Sequence, residues 1–150
     1  MTNVYLKPAT DEDIEIYYDI RNAEGVSDGF YTQKKPLTWV EHNNWWYSRN
    51  RDYRRFIIHY GNIVVGLLNI GQLDYWSPEI GYALYPEFWG QGIGTEAVKM
   101  ALIWLKKRGY GYSHTTCLKN NERSINLLLK CGFNILGTAR EGEYWLTVKL

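Results

Sequence analysis

Apolar and polar positions along this chain switch between a period of two and a period near 3.6, and each switch predicts an element. Residues 4–7 alternate as a short strand that Pro8 stops. Thr10 reads as the N-cap of a helix over residues 11–21, where Asp11, Glu12 and Asp13 complement the dipole and Ile14, Tyr17 and Tyr18 make the apolar face. A loop of residues 22–36 follows and carries Phe30 and Tyr31. The next helix, 38–49, opens on a capping box of Thr38 and Glu41 and sets Trp39, Trp45 and Trp46 three or four positions from His42. Period two returns over 53–60 and 63–70, joined at Gly61-Asn62 as a hairpin. A turn at 72–78 leads to a strand over 79–85, then a glycine-containing loop, then a helix over 92–108. Ile93, Ala97, Ala101, Trp104 and Leu105 form the sheet-facing stripe of that helix, Glu96, Lys99, Lys106 and Lys107 its polar side, and Gly109 its end. A strand over 112–118 precedes a helix capped by Asn120 or Asn121, running through Cys131 and closed by Gly132. Strands 133–136 and 144–150, around a turn at Gly142, finish the chain.

The loop between 85 and 93 carries the chemistry. Gly90, Gly92 and Gly94 let the backbone turn and approach a ligand, and the first amides of the helix they open have no intrahelical acceptor, so they suit phosphate oxygens. A Walker loop is excluded, because no Gly-Lys pair occurs in the chain. Gly92, Gly94 and Ala97 match G-x-G-x-x-G/A formally. That dinucleotide fingerprint, however, needs its glycines directly after the first strand and an acid about 20 residues on. Here residues 86–89 intervene and no acid follows at that distance, so a nicotinamide-dinucleotide enzyme is the weaker reading.

The run Trp89-Gly90-Gln91-Gly92-Ile93-Gly94, placed after a strand and before a helix, resembles the coenzyme A loop of the GNAT acetyltransferases, with Trp89 where arginine or glutamine is common. Glu79-Ile80-Gly81-Tyr82-Ala83-Leu84 is similar to the strand ahead of that loop in the branch containing ribosomal-protein N-terminal acetyltransferases. Asn121-Glu122-Arg123-Ser124 and Lys130-Cys131-Gly132-Phe133 resemble the family's second motif, and the segment from Val4 to Asp13 its first strand and helix start. The likeness covers nearly the whole chain. It implies an α/β (α+β) GNAT fold, with a mixed central sheet of about seven strands splayed at its central parallel pair and about four helices. It implies a bulge in the central strand and a V-shaped cleft in which backbone groups around Leu84 and Tyr85 hold the pantetheine arm and polarise the thioester. Acetyl-CoA is the implied cofactor, held by Leu84, Tyr85, Trp89, Gly90, Gln91, Gly92, Ile93, Gly94, Thr95, Asn121 and Ser124.

Arg21-Asn22, followed by His42 and Trp45-Trp46-Tyr47, is similar to acetyltransferases that act on amino groups of nucleotide-linked sugars. That likeness assigns the acceptor to Arg21, Asn22, Phe30, His42, Trp45 and Trp46, and a small amine or amino sugar is the expected substrate. A protein N-terminus is the alternative acceptor, and an acyl-CoA-binding module without turnover the alternative class. Acetyl transfer to an amine needs a base, a polarised carbonyl and a proton for the leaving thiolate. Glu79 is the first candidate base, against a structural role on the strand surface, and His42 is the second, with His59 and His114 behind it. Many relatives place a proton-donating tyrosine where this chain has Leu128, which leaves Tyr85, Ser124 or water as candidates.

Length, composition and charge narrow the partners. A chain of 150 residues with 45% hydrophobic and 22% charged residues reads as one globular domain, 1–150. A net charge of +1 argues against a nucleic-acid partner, and no apolar run of spanning length or signal-peptide pattern argues for a membrane, so a cytoplasmic monomer or homodimer is expected. Thirteen Tyr and seven Trp exceed what one core needs, which places some rings in a ligand groove. Cys117 and Cys131 read as small buried residues rather than as nucleophiles or a disulfide, and no metal site is expected.

Overall fold

The computed structural model describes residues 3–26, 36–48 and 52–150. Phe30 and Tyr31 lie outside the described residues. Strands β1 (Val4–Pro8), β2 (Arg54–Tyr60), β3 (Ile63–Gly71), β4 (Glu79–Leu84), β5 (Tyr112–Leu118), β6 (Asn134–Thr138) and β7 (Glu143–Lys149) form one sheet in the order β1-β2-β3-β4-β5-β7-β6. All neighbours are antiparallel except β4 and β5. Four α-helices accompany them among the described residues: α1 (Ile14–Asn22), α2 (Trp39–Ser48), α3 (Ile93–Lys107) and α4 (Glu122–Lys130).

Alternation along the strands sorts the apolar residues onto two faces. Phe56, Ile58, Leu68, Ile70, Ile80 and Leu84 pack with Ile93, Ala97, Ala101 and Leu105 of α3 and Leu128 of α4. Ile57, Leu67 and Ala83 point the other way, against Tyr17 and Ile20 of α1 and Trp46 of α2. Each fully buried Ile or Leu stabilises this arrangement by about 1.5–3 kcal/mol. Tyr17, fully buried, ties α1 to the sheet by donating its hydroxyl toward Phe56 O and Asn69 Oδ1, both at 2.9 Å.

The first helix differs from expectation at its start: Asp11–Asp13 is a 3₁₀ turn and the α-helix begins at Ile14. The Asp13 carboxylate bends back to accept the Thr10 amide at 2.9 Å, which tightens that turn. The capping box at α2 is as expected, with Thr38 N donating to Glu41 Oε1 at 3.0 Å and Glu41 N to Thr38 Oγ1 at 3.1 Å.

The sheet opens between β4 and β5, whose only paired residues are Glu79 and His114. The expected bulge in β4 is absent: β4 runs in unbroken register along β3 from Glu79 to Leu84. The irregularity lies one strand over, between β2 and β3, where Ile58 pairs with Gly66 and His59 with Val64, so Val65 is skipped. At the parting point Thr115 Oγ1 donates to Ile80 O at 2.7 Å, a side chain replacing a ladder amide. Beyond it, Tyr85 N donates to Val65 O at 2.9 Å. In an antiparallel ladder that bond fixes the alternation, so the amides of Tyr82 and Leu84 point into the gap β5 has left.

Candidate active site

The gap between β4 and β5 is a cleft of about 600 Å³. At one end stands the glycine-rich loop. Gly90 (φ +74°) and Gly92 (φ +80°) hold left-handed backbone, and a Cβ built on either meets nothing within 4 Å, so the space above them is open. The first amide bond of α3 runs from Glu96 to the Gly92 carbonyl at 3.1 Å, which leaves the amides of Ile93, Gly94 and Thr95 ahead of the ladder and facing the cleft. Gly94 also lets α4 approach, since its Cβ would lie 2.7 Å from Leu127 Cδ1. Arg123 lies 3.4 Å over the Trp89 ring at the same mouth and adds positive charge. Open space, free helix-terminal amides and a cation make a site that fits the pyrophosphate of coenzyme A.

Most expected cofactor residues meet here: Leu84, Trp89, Gly90, Gly92, Ile93, Gly94, Thr95, Asn121 and Ser124 all line the cleft. Asn121 caps α4 by accepting Ser124 N at 3.3 Å, which fixes Ser124 in the wall. Two of the expected residues turn their side chains elsewhere. The Gln91 side chain is turned back onto Glu87 O at 3.0 Å and is not in the wall. The Tyr85 side chain points to the α1 side, where its hydroxyl donates to Asp19, and burial holds that phenol well above its ordinary pKa. That places the Tyr85 hydroxyl on the opposite face of the sheet from the coenzyme loop. The Leu84 carbonyl is occupied too, accepting the Trp89 indole N–H at 3.1 Å, so the Leu84 amide is the group left to face the cleft.

On the α1 and α2 side the cleft widens into a groove walled by Arg21, Trp45, Tyr53 and Asn69. The Arg21 guanidinium lies 4.1 Å over the Trp45 ring. Glu79 is on this side as well, its side chain 43% exposed and its Oε2 3.7 Å from His114 Nε2. The other nitrogen of His114 lies 3.3 Å from Ser77 Oγ, so the buried imidazole is held from behind and lies alongside the carboxylate.

Three expected acceptor residues do structural work instead. Asn22 clamps the backbone ahead of α2, donating to Leu37 O at 3.1 Å and accepting Leu37 N at 2.7 Å. Trp46, buried, donates its indole N–H to Asp11 Oδ1 at 2.9 Å. His42 is fully buried between α1 and α2. A carbonyl can only accept and a guanidinium can only donate, so the Ile14 O contact at 2.8 Å requires the proton on Nε2, and the Arg21 contact at 3.2 Å requires the lone pair on Nδ1. With both nitrogens engaged, His42 positions Arg21 and has no free nitrogen for a substrate proton. The counterpart that sequence reasoning missed is Tyr82, whose ring enters the cleft from β4 and whose hydroxyl lies 2.5 Å from Ser124 Oγ. Its alternation with Gly81 and Ala83 was a readable signal.

Burial, with smaller contributions from Arg21 and Arg55, lowers the His42 pKa below its ordinary value, against the Ile14 hydrogen bond that raises it. The unfolded state therefore binds the proton more readily. This stability is fully present above the unfolded pKa of about 6.5 and is lost as pH falls from there toward the folded value. Thermal unfolding at pH 8 and at pH 5.5 is expected to show a lower midpoint in acid, and His42→Gln is expected to flatten that difference. An unchanged pH dependence in the variant would remove His42 as its source.

Comparison with known proteins agrees with this fold. A family model described as an acetyltransferase (GNAT) domain matches residues 3–134. An uncharacterized protein of Methanocaldococcus jannaschii is 37% identical over 99% of this chain, and the chain spans 32% of that protein's length. The crystal structure of a domain from the same organism superposes with a TM-score of 0.93 at 36% identity, covering 100% of both chains. A spermidine N-acetyltransferase from Vibrio cholerae, solved with CoA and spermine, superposes with a TM-score of 0.85 at 15% identity, covering 98% of this chain and 95% of its own, and shares the fold. With the family model spanning every element from β1 to α4, this chain belongs to the GNAT acetyltransferases, enzymes that use acetyl-CoA.

Proposed function

We propose that this N-acetyltransferase transfers an acetyl group from acetyl-CoA to the primary amine of a small acceptor that also carries hydroxyl or anionic groups, with an amino sugar, nucleotide-linked or free, as the class. The observation that carries this reading is the groove that continues the coenzyme cleft, with the Arg21 guanidinium over Trp45 on one wall and the Glu79 carboxylate on another. A guanidinium over an indole suits the oxygens and flat rings of a nucleotide-linked sugar, whereas a polyamine offers it no acceptor. In this reading the chain, 1–150, is one acetyltransferase unit working in the cytoplasm, in keeping with the free thiols of Cys117 and Cys131.

Bound acetyl-CoA supplies an activated acetyl thioester. The loop amides of residues 93–95 hold its phosphates and Arg123 adds charge. The Leu84 amide donates to the carbonyl oxygen and so favours the charge that develops there. Glu79, steadied by His114, removes the proton that keeps an alkylammonium unreactive, directly or through water. Glu79→Gln keeps the shape and removes the base, and kcat is expected to fall by about tenfold to hundredfold with the acetyl-CoA KM little changed. An unchanged kcat would end the assignment of the base.

The test of the reading is release of free CoA thiol across amino sugars, nucleotide-linked amino sugars, polyamines and N-terminal peptides. Release with amino sugars alone is the expected outcome. Release with polyamines or peptides alone overturns it.

A further inference from the structure

The departing sulfur needs a proton, and the wall of the cleft holds few groups able to give one. Leu128 is 1% exposed and apolar, packed into the core with α3. Tyr85 is committed to Asp19 on the far face. Cys117 is a buried thiol that burial pushes up in pKa, with its Sγ turned toward the backbone oxygens of Leu118 and Asn121. Of the hydroxyls that line the cleft, that of Thr115 is committed to Ile80 O, and those of Tyr82 and Ser124 stand out as a bonded pair. They come from different elements, β4 and α4, and meet at 2.5 Å across the cleft. Ser124 precedes Leu128 by one helical turn, so both lie on the α4 face turned to the cleft. Tyr82 lies two residues before Leu84, and the amides of both point into the same gap. The phenol and the amide that would hold the thioester oxygen thus line the same cleft, from alternate residues of one strand.

We propose that Tyr82, hydrogen-bonded to Ser124, is the proton donor to the leaving CoA sulfur, so that β4 supplies the acid for which α4 has only leucine. The inference rests on the acetyltransferase reading above. As the new C–N bond forms, the C–S bond breaks with its electron pair on sulfur, and the proton on Tyr82 Oη moves to that sulfur. Ser124 Oγ returns a proton to Tyr82 Oη and is itself reprotonated from water. The amine's surplus proton leaves by Glu79, so no oxidant or further reactant is needed. Burial holds the Tyr82 phenol above its ordinary value and the Ser124 contact acts the other way, and a phenol is still closer in acidity than an aliphatic hydroxyl to a thiol of about 8.5.

The test compares CoA with desulfo-CoA by calorimetry, with no acceptor present. A hydroxyl placed at the sulfur makes CoA bind about five- to tenfold more tightly than its desulfo analogue in the wild type. Tyr82→Phe is expected to erase that ratio and to lower kcat by more than about tenfold, with the acetyl-CoA KM within about threefold. Ser124→Ala, which leaves the ring in place, is expected to shrink the ratio in the same direction and serves should the phenylalanine variant fail to fold. Tight binding of both ligands by the wild type with no preference, or a preference that survives in both variants, would overturn the proposal while leaving the acetyltransferase reading intact. Binding of neither ligand would overturn both.

Discussion

Replacing Gly92 by Asp is expected to weaken CoA binding by more than about 100-fold, or about 2.7 kcal/mol, while the protein stays folded. Gly92 sits at φ +80° as the N-cap of α3, a left-handed position that Asp and Asn tolerate better than other side chains. A Cβ there meets nothing within 4 Å, so no neighbour clashes and the strain is confined to the left-handed backbone. The new carboxylate would lie beside the amides of residues 93–95, serve them as an internal anion and repel the pyrophosphate from the same place. Gly92→Asn makes the same backbone demand without the charge, and is expected to lose less than about tenfold. Calorimetric titration with CoA distinguishes the two, and wild-type affinity in the Asp variant would mean that the phosphates bind elsewhere.

Gly66→Ala is expected to be the most destabilising single-methyl addition in the sheet, costing about 3 kcal/mol or more. Gly66 pairs with Leu84 beside the skipped residue Val65. A Cβ built there lies 2.3 Å from the Ala83 carbonyl oxygen and 2.6 Å from Leu84 Cδ2. The first of these is a backbone atom in a strand buried on both faces, so no rotamer change relieves it and β3 and β4 must move apart. For a domain of this size the loss corresponds to a fall in Tm of about 6–12 °C. Gly94→Ala is the control, since its nearest neighbour at 2.7 Å is the end of the Leu127 side chain, which can turn away. Urea unfolding of the two variants measures the contrast, and equal midpoints would refute the argument from the carbonyl.

These two glycines mark how far the sequence was legible. Gly92 announced itself, because a glycine between a strand and a helix with others two residues either side signals a backbone turn and an anion site. Gly66 gave no such signal: it lies inside an apolar run, and the need for it arises only when β3 is set against β4 with Val65 skipped. The bulge that the family resemblance implied in β4 is absent, and the register of the packed strands, not anything local, decides which strand absorbs an extra residue. In the groove on the α1 and α2 side, Arg21 and Trp45, which the family resemblance singled out, line the cleft. His42, Asn22 and Trp46 were misread because their composition suits a binding site and a packing interface equally well, and the deciding partners Ile14, Leu37 and Asp11 come from elsewhere in the fold.

By itself the sequence determined what is set within a few residues: the period of each element, the cap at Thr38 and one at Asn120 or Asn121, the glycine turns at Gly90 and Gly92, and hence an open loop suited to an anion at the start of α3. Local order follows from backbone sterics and from hydrogen bonds between near neighbours, which residue types disclose. The tertiary structure alone decided which polar groups remain free for chemistry. It closed His42 and Tyr85 onto partners across the α1 interface, set His114 behind Glu79, and brought the Tyr82 and Ser124 hydroxyls together across 42 residues of chain. Such pairs depend on strand register and on the parting of β4 from β5, and those are properties of the packed sheet rather than of any segment within it.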